Sequence, residues 1–316
     1  MPRLRPRTFL FVLLAALGIG LGAAALRAGT STGGPVLSSV HRPVIFAHRG
    51  GAAEGPESTL PTMLDVVARN PQVAIELDVR QSRDGRIVVN HDATVDRTTN
   101  GTGRVADLTW AELRALDAGH CTTPGEGAGT AAPALCRDPA LANHFPLRNR
   151  GFRMATLDEV LDTLPPSTVI AIEVKEPGFE AVLADRLRRS GRLGRLVVGS
   201  ANDDVGARLL TLLPEVPQYF PKWAGTRLAL GIKLANGRFN RPDYQVMAIP
   251  RHGAGLDLDT PGLVAIAHRL GIFVVYFIID ADDEMERLLR LGADALITDY
   301  PTRARTVNDR LAATNR

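Results

Sequence analysis

Residues 74–92 read AIELDVRQSRDGRIVVNHD. Two short β-rich runs, 73–79 and 87–89, each end in ionisable side chains: Glu76-Leu77-Asp78 in the first, Asn90-His91-Asp92 after the second. The two-residue period of a strand puts Glu76 and Asp78 on one face. Charged groups inside an apolar strand are costly unless they are paired or bound to a cation. The stretch therefore reads as strands that carry reactive groups to one end of a sheet.

Outward from it, short β-rich runs alternate with amphipathic helices. The runs fall at 44–47, 73–79, 87–89, 169–174, 196–198, 217–220, 245–249, 272–279 and 295–297. Thr109-x-x-Glu112 and Thr156-x-x-Glu159 are capping boxes that open helices. Thr260-Pro261 opens another, and Gly271 and Gly292 close the last two of the alternation. Repeated strand–helix–strand order implies a parallel sheet with right-handed crossovers. About eight units in roughly 270 residues fit a closed (β/α)8 TIM barrel better than an open doubly wound sheet. Nine candidate runs for eight staves leave one peripheral, 217–220 or 245–249. No G-x-G-x-x-G or G-x-x-x-x-G-K-[ST] follows the first run, which removes the main dinucleotide and P-loop readings.

Residues 119–150 are rich in Gly, Pro, Ala and Thr, lack periodicity and exceed the usual connection length. They read as an insertion after the third strand. The two cysteines of the chain, Cys121 and Cys136, lie in it. In an oxidising compartment such a pair reads as a disulfide tethering the loop. A zinc site is disfavoured, because no second C-x-x-C or paired histidines accompany them.

The chain has 316 residues, 45% hydrophobic and 22% charged, as a folded globular protein does. Its formal charge of +3 is misleading: residues 1–30 hold Arg3, Arg5, Arg7 and Arg27 and no acid, which leaves −1 for the rest. A nearly neutral body argues against a polyanion-binding surface, nucleic acid included. Residues 8–26, TFLFVLLAALGIGLGAAAL, are an uncharged apolar run behind a basic start. That is the pattern of a secretory signal peptide or of a retained membrane anchor. In both readings the arginines hold the N-terminus in the cytoplasm, and the body is exported, either secreted or anchored at the outer face of the cytoplasmic membrane. The organisation expected is a leader or anchor at 1–30, a linker at 31–43, a barrel domain at 44–305 and a C-terminal tail at 306–316.

Ionisable residues recur at run ends: His48-Arg49-Gly50, Glu76-Leu77-Asp78, Asn90-His91-Asp92 and Glu173-Val174-Lys175. In (β/α)8 barrels the C-terminal strand ends carry the active site. Glu76, Asp78 and Glu173 would supply a hard, oxygen-rich site for Ca2+ or Mg2+. His48 and His91 suit a general acid and base. Arg49 offers a planar fork for phosphate oxygens and Lys175 a point charge. Only three lysines occur in the chain, which gives Lys175 extra weight. Taken singly, each feature has a plain structural reading: an edge ladder, an ion pair, a turn aspartate. Their recurrence at one end of successive strands favours a phosphodiester-cleaving site.

The segments FAHRGGAAEGPEST (46–59), AIELDVRQSRDGRIVVNHDATVDRTTNGTG (74–103), MATLDEVLD (154–162), AIEVKEP (171–177) and LGADALITDYP (291–301) resemble the glycerophosphodiester phosphodiesterase family. The resemblance spans nearly the whole body and implies a (β/α)8 barrel with an insertion after the third strand. It implies that His48 and His91 are catalytic, that Glu76, Asp78 and Glu173 bind one divalent cation, Ca2+ or Mg2+, and that Arg49 and Lys175 contact phosphate. Glu57 matches the acidic residue of the family's P-E-N-T element. Hydrolysis of glycerophosphodiesters to glycerol 3-phosphate and an alcohol would follow, a neighbouring glycerol hydroxyl attacking first to form a cyclic phosphate. Two positions depart from the pattern. Ser58 stands where the family usually has Asn, and Tyr276-Phe277-Ile278-Ile279-Asp280 stands where it commonly shows W-T-x-N-D. A more apolar mouth, through Phe277 and Ile279, would suit a lysophospholipid substrate. Beside hydrolysis stand a cyclising lyase on the same barrel and, from another class, a non-catalytic phospholipid-binding protein.

Overall fold

The computed structural model describes residues 42–128, 136, 138–235, 243–253 and 255–314. The leader and nearly all of the linker lie outside the described residues. Strand β1 (Val44–Ala47) leads through a turn to helix α1 (Leu60–Arg69), and β2 (Ala74–Gln81) and β3 (Ile87–Val89) follow. Helices α2 (Trp110–Ala115) and α3 (Leu157–Thr163) precede β4 (Ile170–Val174), α4 (Glu180–Arg189), β5 (Leu196–Gly199), α5 (Asp203–Leu212) and α6 (Lys222–Ala235). Then come β6 (Val246–Ile249), a small hairpin of β7 (His252–Gly253) and β8 (Leu256–Asp257), α7 (Pro261–Arg269), β9 (Phe273–Tyr276), α8 (Asp282–Leu291), β10 (Ala295–Thr298) and α9 (Pro301–Thr314). The last helix takes in 306–314, the stretch set off above as a tail, and buries Val307 and Leu311. Among the described residues no helix is long and apolar enough to cross a membrane.

Seven strands run parallel in the order β5-β4-β2-β1-β10-β9-β6, a curled sheet of the (β/α)8 type. Residues 217–220 sit between its two ends: Tyr219 N–H donates to the Val198 carbonyl, and Phe220 N–H donates to that of Val246. Parallel bridges pair Val198 with Gln218 and Tyr219 with Val246. So both runs expected to be in doubt, 217–220 and 245–249, belong to the wall. The peripheral one is β3, antiparallel to β2 through pairs such as Val79–Val89. The reason is length: only five residues, 82–86, separate β2 from β3, and Gly85 takes φ +81. A link that short makes a hairpin, whereas a parallel crossover needs a dozen residues or more.

Alternation along each strand divides the core in two. Val44, Phe46, Ala74, Ala171, Val197 and Val275 form a cluster of wall residues only, which is the barrel interior. Ile45, Ile75, Leu77, Ile172 and Val174 face outward and pack with Met63 and Val66 of α1 and Leu183 of α4. Both capping boxes form as expected, at Thr109/Glu112 and Thr156/Glu159.

Residues 119–150 lie between α2 and α3, and Cys121 and Cys136 are bonded to each other and buried with Phe145. Closing a loop over a separation of 15 residues stabilises by about 3 kcal/mol, chiefly through the unfolded chain. Replacing both cysteines by serine is expected to lower the unfolding free energy by roughly that amount, read as a lower guanidinium midpoint. An unchanged midpoint would show that the bond stabilises nothing.

Candidate active site

At the end of β1 the chain turns sharply. Arg49 takes φ 50, Gly50 φ 86 and Gly51 φ 105. A Cβ on Gly50 would lie 2.7 Å from Cγ of Met63 in α1, so only glycine permits this left-handed approach. The turn aims the Arg49 N–H at Oε2 of Glu76, 2.9 Å away, and leaves His48 and Arg49 buried at the strand ends.

The period of two works as the sequence implied. Leu77 and Val174 point outward into the helix layer, so Glu76, Asp78 and Glu173 face the interior. Register places Asp78 opposite Glu173 on adjacent strands. One oxygen from each of the three carboxylates lies within 4.8 Å of the others. Lys175 Nζ sits 3.1 Å from Asp78 Oδ1 and 3.1 Å from Glu173 Oε2. Burial, then the charge of Asp78, pushes the Glu76 carboxyl well above its ordinary range. Asp78 Oδ2 is buried without a hydrogen bond. Three hard oxygen donors, one of them without a hydrogen bond, in a pocket that penalises the charge of Glu76 fit a divalent cation well. A second trio, His252, Asp257 and Asp259, is also close-set. It lies at the surface, and Asp259 is already paired with Arg251 and Arg287.

Each candidate histidine has a carboxylate partner. His48 Nδ1 lies 2.6 Å from Asp299 Oδ1, and His91 Nδ1 lies 2.7 Å from Asp92 Oδ1. A carboxylate only accepts, so Nδ1 carries the proton in both rings and Nε2 is left free. Asp299 is itself fixed: its N–H donates to Asp280 Oδ1 at 2.9 Å, and its Oδ2 accepts from the Ala128 N–H at 2.7 Å. Ala128 belongs to the segment that the disulfide tethers, so that segment reaches the site. Glu57 accepts from Arg49 Nη1 at 2.9 Å and takes both arms of Arg97 at 2.7 Å. Arg97 Nε in turn donates to Asp92 Oδ2 at 2.7 Å. A continuous chain of ionic hydrogen bonds thus joins Arg49 to His91.

Six of the candidate residues, His48, Arg49, Glu76, Asp78, His91 and Glu173, open onto one cavity of about 800 Å³. Lys175 stands behind two of its carboxylates and Glu57 behind Arg49, while Cys121 and Cys136 are not among its lining residues. Of the two residues expected to make the mouth apolar, Phe277 lines the cavity, whereas Ile279 is buried in the core. Sequence reading assigned no role to Asp299, Arg97 or Tyr219. Asp299 had a signal: it follows β10 directly, at the same strand-end position as His48 after β1. Arg97 and Tyr219 had none, since their place depends on a loop path and on the bridging segment. The Tyr219 hydroxyl is buried without a partner, and burial, then the nearby carboxylates, holds it protonated. It can donate to an oxygen brought to the carboxylates.

The model of the glycerophosphoryl diester phosphodiesterase family matches residues 48–303. A glycerophosphodiester phosphodiesterase of Bacillus altitudinis is 28% identical over 278 residues, covering 84% of this chain and 98% of the relative. Among solved structures, a glycerophosphodiester phosphodiesterase from Agrobacterium tumefaciens superposes with a TM-score of 0.64 at 22% identity, over 84% of this chain and 99% of its own. An Oleispira antarctica phosphodiesterase in complex with the product sn-glycerol-3-phosphate gives 0.62 at 22% identity, over 85% and 97%. At such identities the structural likeness speaks for the fold.

Proposed function

The chain belongs to the glycerophosphoryl diester phosphodiesterase family, a family of phosphoric diester hydrolases, and on that premise we propose that it cleaves glycerophosphodiesters to glycerol 3-phosphate and an alcohol with the His48–His91 pair and a divalent cation. The observation that carries this reading is the opening of two carboxylate-paired histidines and three carboxylates onto a single cavity. The product held by the Oleispira relative supports the same substrate class.

Glu76, Asp78 and Glu173 would hold Ca2+ or Mg2+, which when bound polarises the phosphoryl group and offsets its charge. The chain's own residues divide the rest. Arg49 and Lys175 balance negative charge around the phosphate. Asp299 and Asp92 hold the Nδ1 proton of each ring. The ring whose Nε2 is unprotonated takes the proton of the attacking glycerol hydroxyl, while the other, entering protonated on both nitrogens, delivers its Nε2 proton to the leaving oxygen. A water then opens the cyclic phosphate with the two roles exchanged. Tyr219 donates to an equatorial oxygen. Glu57 positions Arg49 and, through Arg97 and Asp92, His91.

Export is part of the same reading: the basic start and apolar run at 8–26 support it, and so does the bonded cysteine pair. The test is turnover of glycerophosphocholine followed by phosphorus NMR before and after dialysis against a chelator. Activity that disappears and returns with added Ca2+ or Mg2+, yielding the open monoester, is the expected outcome. Accumulation of a cyclic phosphate would instead identify a lyase, and chelator-insensitive turnover would refute the cation site.

A further inference from the structure

Beyond the reacting groups, the cavity is unlike a pocket for two small polar alcohols. Its remaining wall includes Phe220, Trp223, Leu230, Ile249, Phe277 and Ile278, and of that wall only Lys222 is charged. The apolar trough runs between α6, the segment after β6 and the segment after β9, and it begins at the carboxylates and histidines.

The trough continues onto the surface. Six large apolar side chains are exposed among the described residues: Val182, Trp223, Leu230, Leu234, Phe277 and Ile278. Four of them line the cavity, and a fifth, Leu234, follows Leu230 by one turn of α6. Trp223 is 62% and Leu234 83% exposed. The other side of α6 is conventional, with Leu228, Ala229 and Ile232 packed in the core. Its outer side also shows Lys222, Arg227 and Lys233, and the helix contains no acid. Tryptophan and leucine set among basic residues on an outward helix face are the composition of a segment that rests in a lipid interface.

We propose that the substrate of this site is a glycerophosphodiester bearing one acyl chain, taken from a lipid surface on which the Trp223–Leu230–Leu234 face of α6 rests, with the chain lying along the apolar trough. This rests on the phosphodiesterase reading and names its substrate. In the reaction the bond from phosphorus to the head-group alcohol breaks, a water oxygen ends on phosphorus, and a proton from that water goes to the departing alcohol. The products are an acylglycerol phosphate and the alcohol, with water as the sole co-reactant. Shared lining argues for lipid over protein: four of the exposed apolar side chains line the same cavity as the carboxylates and histidines, and the three basic residues suit a phosphate-bearing surface. Each methylene withdrawn from water adds to binding, so preference should grow with chain length.

The test compares glycerophosphocholine with 1-acyl-lysophosphatidylcholine embedded in vesicles of phosphatidylcholine and phosphatidylglycerol, alongside vesicle co-sedimentation. The protein should sediment with vesicles and favour the lysolipid by about tenfold or more in kcat/KM. Leu234→Asp, outside the cavity lining, should lower lysolipid turnover from vesicles by about tenfold, whether or not the apolar run at 8–26 is retained, and keep glycerophosphocholine turnover. Trp223→Ser should lower the lysolipid-to-glycerophosphocholine ratio by about tenfold. Glycerophosphocholine turnover with neither vesicle binding nor lysolipid preference overturns the inference and leaves the phosphodiesterase reading intact. So does a dimer that Leu234→Asp dissociates in the absence of vesicle binding. Failure to hydrolyse either compound overturns the phosphodiesterase reading, and the substrate assignment with it.

Discussion

Replacing His48 by alanine is expected to lower kcat by about 10²- to 10⁴-fold, the usual contribution of a positioned proton-transfer group. The residue is buried at a strand end, one ring nitrogen is committed to Asp299, and the ring opens onto the cavity that the carboxylates line. Asp299→Asn gives a sharper readout. An amide can donate to Nδ1, which shifts the ring proton to Nε2 and turns a base toward the cavity into a donor. Loss of up to about 10⁴-fold in kcat is expected, with KM nearly constant and circular dichroism unchanged. Asp299→Glu, which keeps an acceptor, should recover part of that loss. If His48→Ala keeps turnover within about threefold of the parent, its assignment as a proton-transfer group is wrong.

The parts of the site legible in sequence are those that depend on strand periodicity. Glu76, Asp78 and Glu173 face inward because Leu77 and Val174 must face the helices, and a single apolar–charged alternation encodes that. The His48-Arg49-Gly50 cluster is legible as ionisable residues at a strand end, whereas the left-handed turn that aims them is seen only in the structure. The strand count was harder. A strand candidate reads alike whether its partner is parallel or antiparallel, so β3 was counted as a stave although the five-residue link before it allowed only a hairpin. The run at 217–220 shares its doubt with 245–249 because nine candidates compete for eight staves; in the structure it is paired by isolated bridges and closes the gap between β5 and β6. Groups contributed by loops stayed hidden. Nothing in the sequence places Arg97 against Glu57 and Asp92, or the Ala128 N–H on Asp299, because those contacts depend on tertiary paths.

Glu57 is where the largest loss of stability is expected. Its carboxylate is buried between two guanidiniums, accepting one hydrogen bond from Arg49 and two from Arg97. Burial alone would raise its pKa, but the hydrogen bonds and charges of Arg97 and Arg49 outweigh that and bring it from 4.5 down to about 2. A carboxyl lowered in the folded state adds stability that is fully present above its unfolded value near 4.5. That contribution fades as pH falls toward 2. The shift corresponds to about 3 kcal/mol at neutral pH. Removing one partner of a buried ion pair typically costs about 3–5 kcal/mol, because the charges left behind stay buried. The two routes agree. Glu57→Gln should therefore lower Tm at pH 7 by roughly 10 °C, taking about 2–4 °C per kcal/mol for a domain of this size. The difference between parent and variant should hold steady from about pH 6 to 8 and shrink below about pH 4.5, as the parent's own carboxyl begins to take up its proton. The same variant releases Arg97 from one of its two carboxylates and so loosens Asp92 and His91, which should lower kcat while the fold persists. A difference in Tm that stays constant from neutral to acid pH would mean that Glu57 acts through packing rather than charge.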